Sequence, residues 1–276
     1  MGKLSGKVAL VTGAARGQGQ SHAVRMAAEG ADIIAVDLCA NVDSVPYPLA
    51  DESDLEATAK LVREHGRRVV TRIADVRDYE ALERAVNEGV AELGGLDIIV
   101  ANAGILSYAP AKDLSLDAWR DVIDVNLSGV YYTARAAIPH LLERGPGGSI
   151  TLISSGASMR AMANAAHYVA AKTGVVGLMR ALAIELSPQS IRVNSIHPGV
   201  VDTGMVQNSA TYTLFRPDLA DPTREDLKPA SSTLHLMPTP WVDRDDVSNA
   251  VLFLVSEEAK WVTGQEFKID GGGALL

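Results

Sequence analysis

Residues 7–19 read KVALVTGAARGQG. The first part, Lys7 to Thr12, is a short apolar run of the kind that makes a buried strand. It ends on a glycine-rich turn, Thr12 to Gly19, and a helical pattern follows over 18–29, closed by Gly30. Gly13, Gly17 and Gly19 carry no Cβ, so the backbone there can turn tightly and come close to a ligand. Free N–H groups at the start of the helix, together with its macrodipole, favour a pyrophosphate at that point. The spacing is G-x-x-x-G-x-G, not the G-x-G-x-x-G of many dinucleotide folds. A glycine turn without a ligand is the bland alternative. Its place between a clear strand and a clear helix favours a bound nucleotide cofactor.

Outward from this turn, strands and helices alternate. ADIIAVD (31–37) is a second strand, and residues 38–53, with Pro46 and Pro48, read as irregular. Ser53 and Glu56 form a capping-box pattern that opens a helix running to about His65. RRVVTRI (67–73) is a third strand; Leu82, Val86, Val90 and Leu93 then repeat at helical spacing over 78–93. LDIIVAN (96–102) is a fourth strand, and Ser115 caps a helix leading into a long helical region that ends near Arg144. GSITLIS (148–154) and IRVNSIH (191–197) are strands five and six, separated by an alanine-rich helix. A long segment rich in Pro and Thr, a helix near 244–257 and the strand EFKID (266–270) complete the pattern. Apolar strands separated by helices imply a parallel sheet covered on both faces. The fold expected is therefore α/β, a Rossmann-type doubly wound parallel sheet of about seven strands, with strands four and five flanking its switch point. No repeat, low-complexity tract or linker divides residues 1–276, which are read as one domain.

The totals agree. The chain has 276 residues, 47% hydrophobic and 21% charged, enough for one large α/β domain. A formal net charge of -9 argues against nucleic acid and against anionic membrane. The lone Cys39 excludes an internal disulfide and a multi-thiolate metal site, and suits a reducing cytoplasm. No apolar run resembles a secretory signal or approaches a membrane span, so a cytoplasmic protein is expected. Gly6 spoils a myristoylation match in MGKLSG, and the NLS sequon at 126–128 is read as chance.

Two further features carry chemistry. Asp37 ends strand two, about 20 residues beyond the glycines, where a carboxylate accepts hydrogen bonds from the ribose hydroxyls of NAD and repels the 2′-phosphate of NADP. Leu38 follows, leaving no neighbouring Arg for that phosphate; Arg16 is the counter-signal, since it could reach one. In AAHYVAAKTGV (165–175), Tyr168 and Lys172 stand four residues apart, on one helical face. A cation near a phenol favours the phenolate, and such a phenol can pass a proton to or from a substrate oxygen near neutral pH. A surface Lys lying along a Tyr ring is the alternative for the pair taken alone. His167 and His197 have no acidic or Cys partners at ligand spacing and are read as structural, with no catalytic metal implied.

Together the glycine turn and the Tyr-x-x-x-Lys pair resemble the short-chain dehydrogenase/reductase family, from Lys7 to Gly273. ANAG (101–104) is similar to the family's N-N-A-G element, with Ala101 in place of the first Asn; Asn102, Ala103 and Gly104 keep the turn. Asp75 in ADV, with Val76, matches the adenine-contacting position, and Asn126 in DVNLSG matches the active-site Asn. Ser155 lies 13 residues before Tyr168, the family's usual interval, with Ser154 as the alternative. PGVVDT (198–203) matches a P-G-x-x-x-T segment whose Thr203 would contact the nicotinamide amide. The resemblance implies Tyr168 as general base or acid, Lys172 lowering its pKa and holding the nicotinamide ribose, Ser155 donating to the substrate oxygen, and Asn126 positioning a water in a relay to Lys172. It implies cofactor contacts at Gly13, Arg16, Gly17, Gln18, Gly19, Asp37, Leu38, Asp75, Val76, Asn102, Ala103, Gly104, Tyr168, Lys172, Pro198, Gly199, Val201 and Thr203. It also implies a homotetramer or homodimer with contacts through the GQEFKIDGGG end and the Tyr168 helix.

The activity expected is NAD-dependent hydride transfer between nicotinamide and a secondary alcohol or ketone. An NADPH-dependent 3-oxoacyl carrier-protein reductase is the rival enzyme. A non-catalytic nicotinamide sensor is the rival of another class, and would be expected to have lost Tyr168 or Lys172. Residues 204–240 read as a substrate lid whose Met205, Tyr212, Leu214, Phe215, Leu236 and Met237, with Trp241 at its end, suit an apolar alcohol or simply pack the lid. The long insert 38–53 resembles a subgroup that includes carveol dehydrogenase and the mycofactocin-associated oxidoreductases. That implies a carveol-like terpenoid alcohol, NAD held without ready exchange and a mycofactocin-type electron acceptor, with the insert folding over the adenosine end beside Asp37.

Overall fold

The computed structural model describes residues 2–276. Its strands are β1 (Val8–Thr12), β2 (Asp32–Asp37), β3 (Val69–Ile73), β4 (Ile98–Ala101), β5 (Ser149–Ile153), β6 (Arg192–Pro198) and β7 (Glu266–Ile269). All pair in parallel, in the order β3-β2-β1-β4-β5-β6-β7. The helices are α1 (Gly17–Ala28), α2 (Glu52–Glu64), α3 (Tyr79–Leu93), α4 (Leu116–Ile123), α5 (Gly129–Arg144), α6 (Ala166–Leu186), α7 (Ser209–Phe215), α8 (Arg224–Ser232) and α9 (Arg244–Val255).

Successive strand residues point to opposite faces, so each central strand feeds two cores. Leu10, Ile34, Ile99 and Ile150 meet Leu82 and Val86 of α3, Leu141 of α5 and Val175 and Met179 of α6 on one side. Ala9, Val11, Ile33 and Ile98 meet Ala23 and Met26 of α1, Leu55 and Val62 of α2 and Val247 and Val251 of α9 on the other. Strands buried on both faces cannot alternate polar with apolar, which is why their sequences read as continuous apolar runs.

The strand order reverses between β1 and β4, with β2 on one side of β1 and β4 on the other. The crevice therefore opens one strand away from the pair β4 and β5 that the sequence reading favoured, because periodicity carries no information on neighbour order. A second correction concerns α2. Its cap is Asp51, whose Oδ1 accepts from the Asp54 N–H at 3.1 Å while Asp54 Oδ2 accepts from the Asp51 N–H at 3.0 Å. Ser53 lies inside the first turn and donates to Asp51 at 2.6 Å. A carboxylate pair at the cap suits the positive end of the helix better than the Ser53–Glu56 box would. Ser115 does cap α4, accepting from the Ala118 N–H at 3.1 Å. Between α4 and α5 the helical region loosens into a single π turn, Asp124–Ser128, which contains Asn126.

Residues 38–51 form neither helix nor strand, yet Val42, Tyr47 and Ala50 are buried. Three hydrogen bonds pin this stretch to itself and to the body: Leu49 N–H to Asn41 Oδ1 at 2.8 Å, Ser44 Oγ to Asp121 at 2.7 Å, and Leu106 N–H to the Tyr47 hydroxyl at 3.1 Å.

The glycine turn is the tightest point of the fold. A Cβ on Gly19 would sit 1.9 Å from the Gly13 carbonyl oxygen and 2.7 Å from Asn102 Nδ2. Gly19→Ala should therefore destabilise the protein by roughly 2 kcal/mol or more, a fall of several degrees in Tm. Thermal unfolding checks this, and an unchanged Tm would mean that the turn relaxes freely.

Candidate active site

At the carboxyl end of β1 the backbone enters the left-handed region at Gly13, φ 66°, and again at Gly17, φ 59°. Helix α1 starts there with no side-chain cap and no acidic residue in its first turn. Its leading N–H groups and positive dipole end are thus left to the crevice. Two neighbours hold the turn in shape. Asn102, just past β4, donates Nδ2 to the Thr12 carbonyl at 3.0 Å and takes its own N–H to Thr12 Oγ1 at 3.2 Å. Asp37, ending β2, accepts the Ala15 N–H at 2.9 Å and the Cys39 N–H at 3.1 Å. Ala101 stays inside β4, fully buried against Leu152, so losing an Asn side chain there leaves the turn intact. Asp75 pairs with Arg77 at 2.7 Å, and Arg77 reaches Asp121 at 2.6 Å.

Ser155 follows β5, and Tyr168 and Lys172 come from the first two turns of α6. Ser154 Oγ donates to the Lys172 carbonyl at 2.8 Å, so its hydroxyl is spent on the helix backbone. The Ser155 hydroxyl, by contrast, is free of the helix backbone and lines the same cavity as Tyr168, whose pKa it lowers. Of the two serines, Ser155 is the one brought to the tyrosine. Lys172 donates to the Ile153 carbonyl at 2.9 Å, with its Nζ 5.8 Å from the centre of the Tyr168 ring.

Burial governs the charge on both groups. It pushes the Tyr168 phenol above its ordinary range, opposed by the nearby Ser155 hydroxyl. It pulls Lys172 down from 10.5 to about 8. Loss of water is the first cause in both cases, because taking either charged form into an apolar pocket is costly.

One cavity of about 660 Å³ runs past all of these groups, within the range of small-molecule sites. Every expected cofactor contact lines it, as do Ser155, Tyr168 and Lys172: Gly13, Arg16, Gly17, Gln18, Gly19, Asp37, Leu38, Asp75, Val76, Asn102, Ala103, Gly104, Pro198, Gly199, Val201 and Thr203. Asn126 alone does not. It lies behind Gly104, fully buried, donating to the Ile105 carbonyl and accepting the Ile105 N–H, both at 2.8 Å. One bond at each end of its amide fixes the side chain against Ile105 and leaves a second N–H and a second lone pair. Of the segment 204–240, Met205, Leu214 and Phe215 line the cavity. Leu236 and Met237 are exposed, and Trp241 stacks under Arg224 at 4.6 Å, so these face elsewhere.

Sequence reasoning missed Tyr47, Leu106, Tyr108 and Met162 on the cavity wall. Tyr47 lay in an aperiodic stretch between two prolines, where no pattern marks an inward side chain. Burial pushes the Tyr108 phenol up to about 12. Among the described residues no group of three His, Cys, Asp or Glu could hold a metal ion, and no helix is long and apolar enough to cross a membrane.

A parallel doubly wound sheet, a glycine turn at its switch point and a Ser-Tyr-Lys set in the same crevice define a nucleotide-dependent oxidoreductase. The chain belongs to the short-chain dehydrogenase/reductase family. A family profile described as enoyl-(acyl carrier protein) reductase matches residues 13–273. The chain is 51% identical to (-)-trans-carveol dehydrogenase of Rhodococcus erythropolis over 276 residues, covering 100% of both. Its structure superposes on carveol dehydrogenase of Mycobacterium avium in complex with NAD with a TM-score of 0.99, at 52% identity and 100% coverage of both chains. A short chain dehydrogenase of Mycobacterium paratuberculosis bound to NAD follows with a TM-score of 0.92, at 43% identity and again 100% coverage of both.

The lysine has a consequence for stability. Its folded pKa lies below its unfolded one, so between about 8 and 10.5 the unfolded chain binds the extra proton and stability rises with pH. Below that window the buried ammonium costs roughly 3 kcal/mol. Thermal unfolding of the unliganded protein across this range should show the gain, and Lys172→Met should flatten it; equal slopes for the two proteins would refute a buried, depressed lysine.

Proposed function

We propose that this chain is an NAD-dependent alcohol dehydrogenase that moves a hydride between a secondary alcohol and nicotinamide. The observation that carries the reading is that the Ser155–Tyr168–Lys172 set and the glycine turn open into one continuous cavity. The residues present suit a dinucleotide. The uncapped start of α1 suits a pyrophosphate. Gln18 Oε1 is buried there without a partner. The Asp37 carboxylate stands where adenosine ribose hydroxyls would lie, with Leu38 rather than a cation beside it, which favours NAD over NADP. Asp75 and Val76 would flank the adenine, Asn102 to Gly104 the middle of the molecule, and Pro198 to Thr203 the nicotinamide end.

Bound NAD supplies the hydride acceptor; the protein supplies orientation and proton transfer. Tyr168 takes the proton of the alcohol during oxidation and returns it during reduction. Ser155 donates to the same oxygen and stabilises charge there. Lys172 offsets the burial that keeps the phenol protonated and holds the nicotinamide ribose. Asn126 braces the loop at Ile105 against Gly104, and so acts by position rather than by contact.

An apolar alcohol is the substrate that the wall favours. Leu106, Met162, Met205, Leu214 and Phe215 would bury rings and alkyl groups, and residues 204–240 act as a lid over them. The name of the Rhodococcus relative supports a carveol-like terpenoid alcohol. The buried insert, tied down at Ser44, Tyr47 and Leu49, favours slow exchange of NAD, and hence electron transfer to a separate acceptor of the mycofactocin type. The exposed Ile184, Trp261 and Leu275, near the outer strand β7 or on α6, support a homodimer or homotetramer through that edge. A cytoplasmic location fits this chemistry.

Three outcomes test the reading. Tyr168→Phe should bind NAD normally and lose nearly all turnover of a secondary alcohol; wild-type turnover would overturn the assignment. Because the base form of Tyr168 drives oxidation and its acid form drives reduction, raising the pH above neutrality should speed oxidation and slow reduction, since burial holds this phenol high. Parallel profiles in the two directions would exclude it. Denaturing the purified protein should release NAD rather than NADP, and millisecond exchange of the nucleotide would remove the case for retention.

A further inference from the structure

Behind Ser155, on the side away from the cavity, lies a small buried polar network that the chemistry above does not use. The Ser155 carbonyl accepts three donors. The Ser158 N–H reaches it at 3.0 Å and the Ser158 hydroxyl at 2.7 Å. His197 Nδ1 lies 3.3 Å from the same oxygen and 2.9 Å from Ser158 Oγ. The other ring nitrogen, Nε2, lies 2.8 Å from Ser195 Oγ. His197 is on β6 and fully buried.

Counting protons assigns the roles. The single Ser158 hydroxyl proton goes to the Ser155 carbonyl, so Ser158 Oγ can only accept from His197. Nδ1 therefore carries the ring proton, and Nε2 accepts from Ser195. Burial lowers the pKa of His197, which keeps the ring neutral and in this one tautomer.

This matters because Ser155 is the first residue of a loop, fully extended at φ -164° and ψ 155°, immediately before a tight turn at Gly156–Ser158. Its Oγ accepts the Ala157 N–H at 3.1 Å, so its one proton remains for Tyr168 or a substrate oxygen. Where Oγ can sit depends on where the Ser155 main chain carries Cα and Cβ, and the three donors on its carbonyl anchor that main chain.

We propose that His197 is a positioning residue for this active site: relayed through Ser158, it holds the Ser155 main chain so that the Ser155 hydroxyl stays aimed at Tyr168 and the substrate oxygen. The inference rests on the role given to Ser155 above. It assigns work to a histidine that the sequence alone marks only as a strand-end residue.

A double-mutant cycle tests it, with secondary-alcohol turnover, KM, NAD affinity and Tm measured for each protein. His197→Leu should lower kcat about 10²-fold, the cost of a misplaced catalytic group, while leaving NAD affinity unchanged. His197→Asn, which can present an N–H near the position of Nδ1, should recover most of that loss. In a Ser155→Ala background, His197→Leu should cost nothing further, because the group it positions is gone. Equal losses in both backgrounds would mean a merely structural role and overturn the proposal, as would wild-type kcat for His197→Leu. If His197→Leu does not fold, Ser158→Ala, which removes the relay to the Ser155 carbonyl, runs the same cycle with the same two readings. Full turnover by Ser155→Ala alone would instead sink the reading of Ser155, and so separates the two failures.

Discussion

A parallel ladder sends the carboxyl end of every strand to the same edge of the sheet. In this molecule that edge is where all the chemistry is hung. β1 leads into the glycine turn, β2 ends in Asp37, β4 leads into Asn102, β5 into Ser155 two residues on, and β6 ends at Pro198 before Gly199. The gap between β1 and β4, where the chain has wound away in both directions, lets a long ligand lie across the edge. Asn102 bridges that gap by hydrogen bonds to the β1 end, so the two halves of the winding meet in a fixed geometry. A slip in either strand would move several site groups together.

Water is the second actor. Tyr168 and Lys172 are buried side by side, and each is pushed toward its neutral form. The pair is therefore poised: small changes in nearby charge or hydrogen bonding shift where the proton sits, which is the property a proton-transfer group needs. Ser155 is the hydroxyl that shares the cavity with the phenol, and its main chain is held from behind by His197 and Ser158. Positioning here runs from a buried imidazole through two serines to a phenol, all on the carboxyl ends of β5 and β6 and the start of α6.

Two segments outside the repeating strand–helix pattern close the cavity from opposite sides. The insert after β2 supplies Tyr47, whose hydroxyl accepts the Leu106 N–H and so links the cofactor end to the wall beyond β4. The segment after β6 supplies Met205, Leu214 and Phe215. Arg16 lies between them, its guanidinium close to Gly204. The first is irregular and the second carries the short helices α7 and α8, and both put apolar groups inward against the surface the body offers.

The amino-acid sequence by itself determined the layers and the chemical vocabulary. Apolar runs such as VALVT and DIIAVD can be satisfied only inside a doubly covered sheet, and glycines at 13, 17 and 19 serve only where the backbone must crowd. Tyr168 and Lys172 share a face because a helix repeats every 3.6 residues, which is a local fact. What needed the tertiary structure was everything that depends on neighbours distant in the chain. The switch point falls between β1 and β4, the Ser154 hydroxyl goes to the Lys172 carbonyl while Ser155 lines the cavity with Tyr168, the Asn126 amide bonds Ile105, and burial is the first cause of the shift on Tyr168. Spacing along a chain reports which side chains can share a face. Desolvation and hydrogen-bond competition are set by which atoms arrive from elsewhere, and only the folded packing decides that.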